Sequence, residues 1–304
     1  MPARLALGTM NFGKRTAEPE ARRIIDRALD AGLTAFDTAN LYNEGLSEQV
    51  LGRALQSRRD RVTITTKVGA WKKEGLGAAR IVASLDESLD RLKTDFVDVY
   101  LLHVPDHSTA LEQTLDGLAT VLASKKALAW GVSNFAAWQL GELNHLCEAR
   151  GLPKPVQSQV LYNLAIRQLD LEYFAFTRRF PIQTVIYNPL AGGLLARDPS
   201  APVPKSARLE TNGLYRKRYG SETMRAFAVK CAGLASQAGL SLFQLSLAWV
   251  AQRQGVDVVL LGPASEAQLT ESIEAVNHVL QPEFLAAIDV AHREFTGTDA
   301  SYAR

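Results

Sequence analysis

The sequence predicts a (β/α)8 barrel of the TIM type, on three observations. Short apolar runs alternate with longer amphipathic helical patterns along nearly all of the 304 residues. The runs are almost continuously apolar, as strands of a parallel sheet covered on both faces require. Eight such runs, counted after a first short one at Arg4 to Gly8, suit a barrel of this length, with residues 1–304 as one domain. The competing arrangement is a doubly wound open sheet. It usually carries G-x-G-x-x-G after its first strand, and Gly8-Thr9-Met10-Asn11-Phe12-Gly13 has a different spacing.

In chain order, Arg4 to Gly8 is expected to pair with residues from Asn11 onward as an N-terminal β-hairpin across the barrel floor. Glu18 to Ala31 reads as a helix, with Ile24, Ile25, Ala28 and Leu29 on one face and Gly32 just past its end. Strands follow at Leu33 to Phe36, Val62 to Lys67, Val97 to Leu102, Ala127 to Val132, Val156 to Val160, Ile182 to Tyr187 and Val256 to Leu261. Helices are expected at Ser47 to Gln56, Ala78 to Leu92, Thr109 to Ala123, Ala136 to Glu148 and Leu169 to Arg178. Ser221 to Gln237, Ser241 to Gln252, Glu266 to Val276 and Glu283 to Glu294 complete the set. One stretch breaks the rhythm. Ala196 to Gly220, after strand 7, holds Pro199, Pro202 and Pro204 and shows no period; it reads as a long loop, on the face where barrels place their active sites.

Composition narrows the function classes. The chain is 47% hydrophobic and 22% charged, with a net charge of +2 and no block of five like charges. That balance argues against a nucleic-acid or membrane surface. No 18-residue apolar run and no apolar leader are present, so a cytoplasmic protein is expected. Cys147 and Cys231 lie far apart in helical patterns and read as small core residues rather than metal ligands or a disulfide.

The chemistry is expected where polar residues end apolar strands, because a barrel gathers those ends at one mouth. Asp37 ends the Leu33 to Phe36 run, and Tyr42 follows five residues later. Lys67 ends Thr63-Ile64-Thr65-Thr66, and His103 ends Val99-Tyr100-Leu101-Leu102. Burial of such groups is costly unless they pair. Lys67 with Asp37 would satisfy both charges, and a lysine beside Tyr42 would lower the pKa of a phenol that is ordinarily about 10. His103 could hydrogen-bond a substrate oxygen. A metal site would need clustered carboxylates and histidines at the strand ends, and none is expected.

Asp37-Thr38-Ala39-x-x-Tyr42, Thr65-Thr66-Lys67-Val68, Leu101-Leu102-His103 and Gly131-Val132-Ser133-Asn134-Phe135 together resemble the aldo-keto reductase superfamily, in its order and from Leu7 to about Ala275. His103-Val104-Pro105-Asp106-His107, Leu161-Tyr162-Asn163 with Arg167-Gln168, and Asn188-Pro189-Leu190-Ala191-Gly192-Gly193-Leu194-Leu195 are similar to its aflatoxin aldehyde reductase branch. The resemblance implies NADPH bound without a Rossmann fold and reduction of aldehydes and ketones. Tyr42 would be the general acid, Lys67 held by Asp37 would tune it, and His103 would orient the carbonyl.

The same resemblance assigns the cofactor contacts. Ser133, Asn134 and Gln159 would hold the carboxamide and Tyr187 would stack on the nicotinamide, with Met10 and Asp37 nearby. Asn188, Leu190, Gly192, Gly193 and Leu194 would wrap the pyrophosphate. Gly262, Ser265, Gln268, Glu271 and Ser272 match the adenosine segment, where Ser272 replaces the family's asparagine. No basic residue stands in that segment, so a 2′-phosphate would fall to Arg197 and Arg208 in the long loop. Tyr215 and Arg218, with the terminal Arg304, resemble substrate-facing residues; two inward arginines would favour acidic aldehydes such as succinic semialdehyde. The branch tends toward homodimers. The superfamily also holds potassium-channel β-subunits, so a redox-sensing NADPH-binding subunit is the alternative.

Overall fold

The structure, a computed structural model, describes residues 3–204 and 207–297. Eight parallel strands close into a barrel in sequence order: β1 (Arg4–Gly8), β2 (Ala35–Asp37), β3 (Thr63–Val68), β4 (Val97–Leu102), β5 (Ala127–Ser133), β6 (Gln157–Leu161), β7 (Gln183–Tyr187) and β8 (Val258–Leu261). Between successive strands lie α1 (Glu18–Asp30), α2 (Leu46–Leu55), α3 (Ala78–Leu92), α4 (Leu111–Ala123), α5 (Ala137–Ala149) and α6 (Tyr173–Arg179). The connection from β7 to β8 carries α7 (Arg208–Thr211), α8 (Gly213–Tyr219), α9 (Glu222–Gln237) and α10 (Leu242–Ala251). After β8 come α11 (Glu266–Ala275) and α12 (Pro282–Thr296). Among the described residues no single helix is long and apolar enough to cross a membrane.

The hairpin expected at Arg4 to Gly8 is not formed. That run is itself β1, paired in parallel with β8 from Arg4↔Val258 to Leu7↔Leu261 and with β2 at Leu7↔Phe36 and Gly8↔Asp37. The barrel reaches eight strands only by including it, with seven runs after it. Closure supplies the reason: without β1, the backbone groups of β2 and β8 would stand at open edges. Beyond Gly8 the chain turns tightly and makes only an isolated bridge, Phe12↔Thr16.

Helix ends follow their capping residues. Ser221 and Ser241 accept from the backbone N–H of Met224 and Gln244, so α9 and α10 begin one residue inside the expected runs. The stretch after β7 is not the aperiodic loop expected, because it holds α7 and α8. Helices of four and seven residues complete too few turns to print an apolar stripe in the sequence. Asn212 caps α8 by accepting from the N–H groups of Leu214 and Tyr215.

Most of the core lies between the strands and the outer helices, around Ile24, Ile25, Leu51, Leu85, Tyr100, Trp130 and Trp249. Ala6, Val185, Val258 and Leu260 form a separate small cluster. These side chains leave the C-terminal ends of the strands for polar groups.

Candidate active site

Asp37 is the last residue of β2, Lys67 the penultimate residue of β3, and His103 the first after β4. Parallel pairing in register therefore delivers all three to the same mouth. Tyr42 opens a short turn, Tyr42–Gly45, in which Asn43 (φ 51°) and Glu44 (φ 58°) adopt the left-handed conformation that non-glycine residues rarely take. The Asn43 amide holds that turn in place by donating to the carbonyls of Met10 (3.0 Å) and Phe12 (2.7 Å).

Lys67 is wholly buried, and an unpaired ammonium there would be strongly destabilising. It donates to Asp37 Oδ1 at 2.5 Å and to the Thr38 carbonyl at 2.6 Å. Gln159 Nε2 donates to the other Asp37 oxygen at 2.7 Å. Lys67 Nζ stands 5.1 Å from the centroid of the Tyr42 ring, and that ring meets His103 edge-on with centroids 5.9 Å apart. The four candidates are thus brought together.

Their electrostatics differ from the sequence expectation in one respect. Burial, and then the Asp37 carboxylate, push the Tyr42 pKa well above that of a free phenol. Lys67 itself donates to Asp37 and the Thr38 carbonyl, and burial lowers the lysine's own pKa. His103 is pushed down to about 3 by burial and then by the Lys67 charge, so its imidazole is neutral at ordinary pH. Its buried Nδ1 has no hydrogen-bond partner among the described residues.

These side chains open into a cavity of about 780 Å³. Asp37, Tyr42 and His103 line it, whereas Lys67 lies behind Asp37 without reaching the surface. Met10, Ser133, Asn134, Gln159, Tyr187, Asn188, Leu190, Gly192, Gly193, Arg197 and Arg208 line it as well, as do Gly262, Gln268, Glu271 and Ser272. Two expected contacts are not on its wall. Leu194 is buried among core side chains, and Ser265 caps α11 by accepting from the N–H of Gln268 at 3.3 Å. Tyr215 and Arg218 reach the cavity, while Arg304 lies outside the described residues.

The polar wall is internally bonded. Tyr187 donates to Asn134 Oδ1 at 2.6 Å, and the Asn134 amide donates to Ser133 Oγ and the His103 carbonyl, each at 2.9 Å. Asn134 (φ 63°) and Asn188 (φ 61°) both take the left-handed conformation just after a strand, which turns their side chains. Gly192 also has a positive φ, +67°, and a Cβ there would stand 2.3 Å from Tyr215 Cδ1. The α7–α8 segment, the lid over this cavity, packs directly on this glycine through Tyr215 and Tyr219.

Three contributors escape local sequence reasoning. Asn11 donates to the Gly262 (3.1 Å) and Pro263 (3.0 Å) carbonyls and accepts from Arg208 at 2.6 Å, tying the loops after β1 and β8 to the lid. Tyr219 holds the lid from beneath, its hydroxyl accepting from Asn188 (2.8 Å) and Asn163 (3.3 Å). Arg15 lines the cavity beside them. A loop asparagine and a loop arginine carry no periodic or spacing signal, and Tyr219 ends a helix too short to print one. Among the described residues no group of three or more His, Cys, Asp or Glu could hold a metal.

Comparison with known proteins shows the family. The family model described as Aldo/keto reductase family matches residues 4–293. The chain is 33% identical to aflatoxin B1 aldehyde reductase member 2 of Homo sapiens, over 95% of this chain and 87% of that protein. It is 33% identical to an uncharacterized oxidoreductase of Bacillus subtilis (strain 168), over 94% of this chain and 91% of that one. A putative voltage-gated potassium channel subunit beta of Schizosaccharomyces pombe is 29% identical, over 98% and 91% respectively. With the match running from the first barrel strand into the last helix, and with such relatives covering it nearly end to end, the chain belongs to the aldo/keto reductase family.

Proposed function

We propose that the protein reduces aldehydes and ketones to alcohols with NADPH, using Tyr42 as the proton donor. The observation that carries this reading is the Asp37–Lys67 pair locked beneath a tyrosine and a neutral histidine that share one cavity wall. The wall suits a dinucleotide. About 780 Å³ accommodates a large ligand, Gly193 lines it without a side chain, and Arg197 and Arg208 add positive charge.

The nicotinamide would supply hydride, which is the cofactor's own chemistry. The chain's part is to position and protonate. His103, being neutral, would offer a hydrogen bond to the carbonyl oxygen rather than a charge. The raised pKa of Tyr42 keeps it protonated, hence ready to donate to a developing alkoxide, which is more basic than a phenolate. That supports reduction as the favoured direction. Lys67 and Gln159 hold Asp37 rigid, so Tyr42 has a fixed charged neighbour.

Arg218 lines the cavity and stands beside the Tyr187 hydroxyl, which supports acidic aldehydes such as succinic semialdehyde as substrates. The test is a panel of neutral and carboxylate-bearing aldehydes run with NADPH and NADH in parallel. Carbonyl-dependent NADPH oxidation supports the reading; none with any aldehyde refutes it. The potassium-channel relative motivates a second reading, a redox-sensing subunit. It requires slow turnover with tight retention of the dinucleotide. A homodimer is the proposed assembly, to be checked by sedimentation equilibrium.

A further inference from the structure

Many basic side chains on this chain stand against carboxylates, among them Arg53 on Glu18, Arg59 on Asp98, Arg80 on Glu74 and Glu87, and Arg91 on Glu48. One group does not. Arg15 on the turn after β1, Arg197 after the 191–196 turn, and Arg208 at the start of α7 come from three separate segments and line the same cavity. Arg208 donates to Asn11 Oδ1 at 2.6 Å and Arg197 to the Gly193 carbonyl at 3.4 Å, both neutral acceptors. The Arg15 side chain makes no hydrogen bond or ion pair among the described residues. Its charged neighbours are the other two guanidinium groups, which, after burial, lower its pKa by repulsion.

Converging like charges are unfavourable unless an anion offsets them. Arginines left on a surface by chance would turn apart into water, whereas these three face one cavity from three loops. The guanidinium fork matches phosphate oxygens and holds them by two parallel hydrogen bonds. The turn that carries Arg15 is tied to the segment ahead of α11, since Thr16 Oγ1 donates to the Ala264 carbonyl at 3.1 Å and Asn11 donates to Gly262 and Pro263. That segment leads to Gln268 and Glu271 on the same cavity.

We propose that Arg15 is a specificity-determining residue, the third guanidinium of a phosphate receptor that Arg197 and Arg208 complete, built for a phosphate of the bound dinucleotide. The inference rests on the cavity being the NADPH site. Arg15 would set cofactor affinity and its salt dependence without touching the reacting carbonyl.

The test is equilibrium binding of NADPH and of NADH to wild type, Arg15→Ala and Arg15→Lys, followed by quenching of protein fluorescence. Removing one charge-assisted contact to phosphate should raise the NADPH Kd about tenfold or more in Arg15→Ala. Arg15→Lys, which keeps the charge but loses the fork, should fall between. Affinity should also decline less steeply with added salt in Arg15→Ala than in wild type. If NADH affinity is unchanged, the phosphate is the ribose 2′-phosphate; if both dinucleotides weaken alike, it is the pyrophosphate. Unaltered affinity for both in Arg15→Ala overturns the proposal. Wild type that binds neither dinucleotide refutes the cofactor reading itself, a distinct result. The Arg15 side chain is exposed and makes no hydrogen bond or ion pair among the described residues, so the variants should unfold with wild type.

Discussion

Gln159 donates a 2.7 Å hydrogen bond to Oδ2 of Asp37, the carboxylate oxygen that Lys67 does not use. One carboxylate thus joins β2, β3 and β6 at the centre of the barrel mouth. Neither the lysine nor the aspartate can be removed alone without stranding the other.

Lys67→Met should therefore destabilise the fold by about 3–5 kcal/mol, because it leaves a buried carboxylate unpaired. Chemical denaturation would measure it. The double variant Asp37→Asn/Lys67→Met should recover much of that stability and none of the activity. If the single and double variants were equally unstable, packing rather than charge would be the cause.

Tyr42→Phe keeps the ring against His103 and removes only the hydroxyl. Carbonyl reduction should fall by about 10²–10⁴-fold, the usual contribution of a positioned proton donor. NADPH affinity should be unchanged. Steady-state rates and a binding titration on the same preparation check both halves, and a variant with near wild-type turnover would remove Tyr42 from that role.

His103 and His292 are held down to about 3 and about 4, in each case chiefly by burial. Below the ordinary histidine pKa of about 6.5 the unfolded chain takes up protons that the folded chain refuses. Their contribution to stability is complete above that pH and is lost progressively as pH falls toward the folded values. Urea midpoints measured between pH 7 and pH 5, above most of the carboxylate range, should decline, and His292→Phe should flatten the slope. His103 should leave no ionisation in the pH–rate profile near neutrality.

The lid is held at two points that can be loosened separately. Tyr219→Phe removes the acceptor for the amides of Asn163 and Asn188, at a cost of about 0.5–1.5 kcal/mol per hydrogen bond. Gly192→Ala forces a Cβ against the Tyr215 ring at a positive φ. Both should raise the Kd for NADPH, Gly192→Ala the more, and a thermal melt with and without NADPH would register it as a smaller ligand-induced shift.

Much of this molecule was legible from local pattern. Seven of the strands, the long helices and the candidates Asp37, Tyr42, Lys67 and His103 follow from apolar runs that end in polar residues, because a buried parallel strand must be apolar and its exposed end need not be. Arg4 to Gly8 also read as a strand, but its partner did not. Closure pairs it with β8, some 250 residues away, and nothing local in five residues specifies that. The lid helices were illegible for a related reason, being too short for a period.

The electrostatics belonged to the fold entirely. That Tyr42, Lys67 and Asp37 would meet was inferable from strand ends. That Tyr42 would be raised rather than lowered, by burial and then by the Asp37 carboxylate, depends on distances of a few ångströms and on burial. The same holds for Arg15, an ordinary loop arginine in the sequence that meets Arg197 and Arg208 on a cavity wall once β1, the lid and the segment after β8 come together. Residue type and spacing determined which groups were present. Only the closed barrel decided which charges faced each other and how much water stood between them, and a pKa is set by those two quantities.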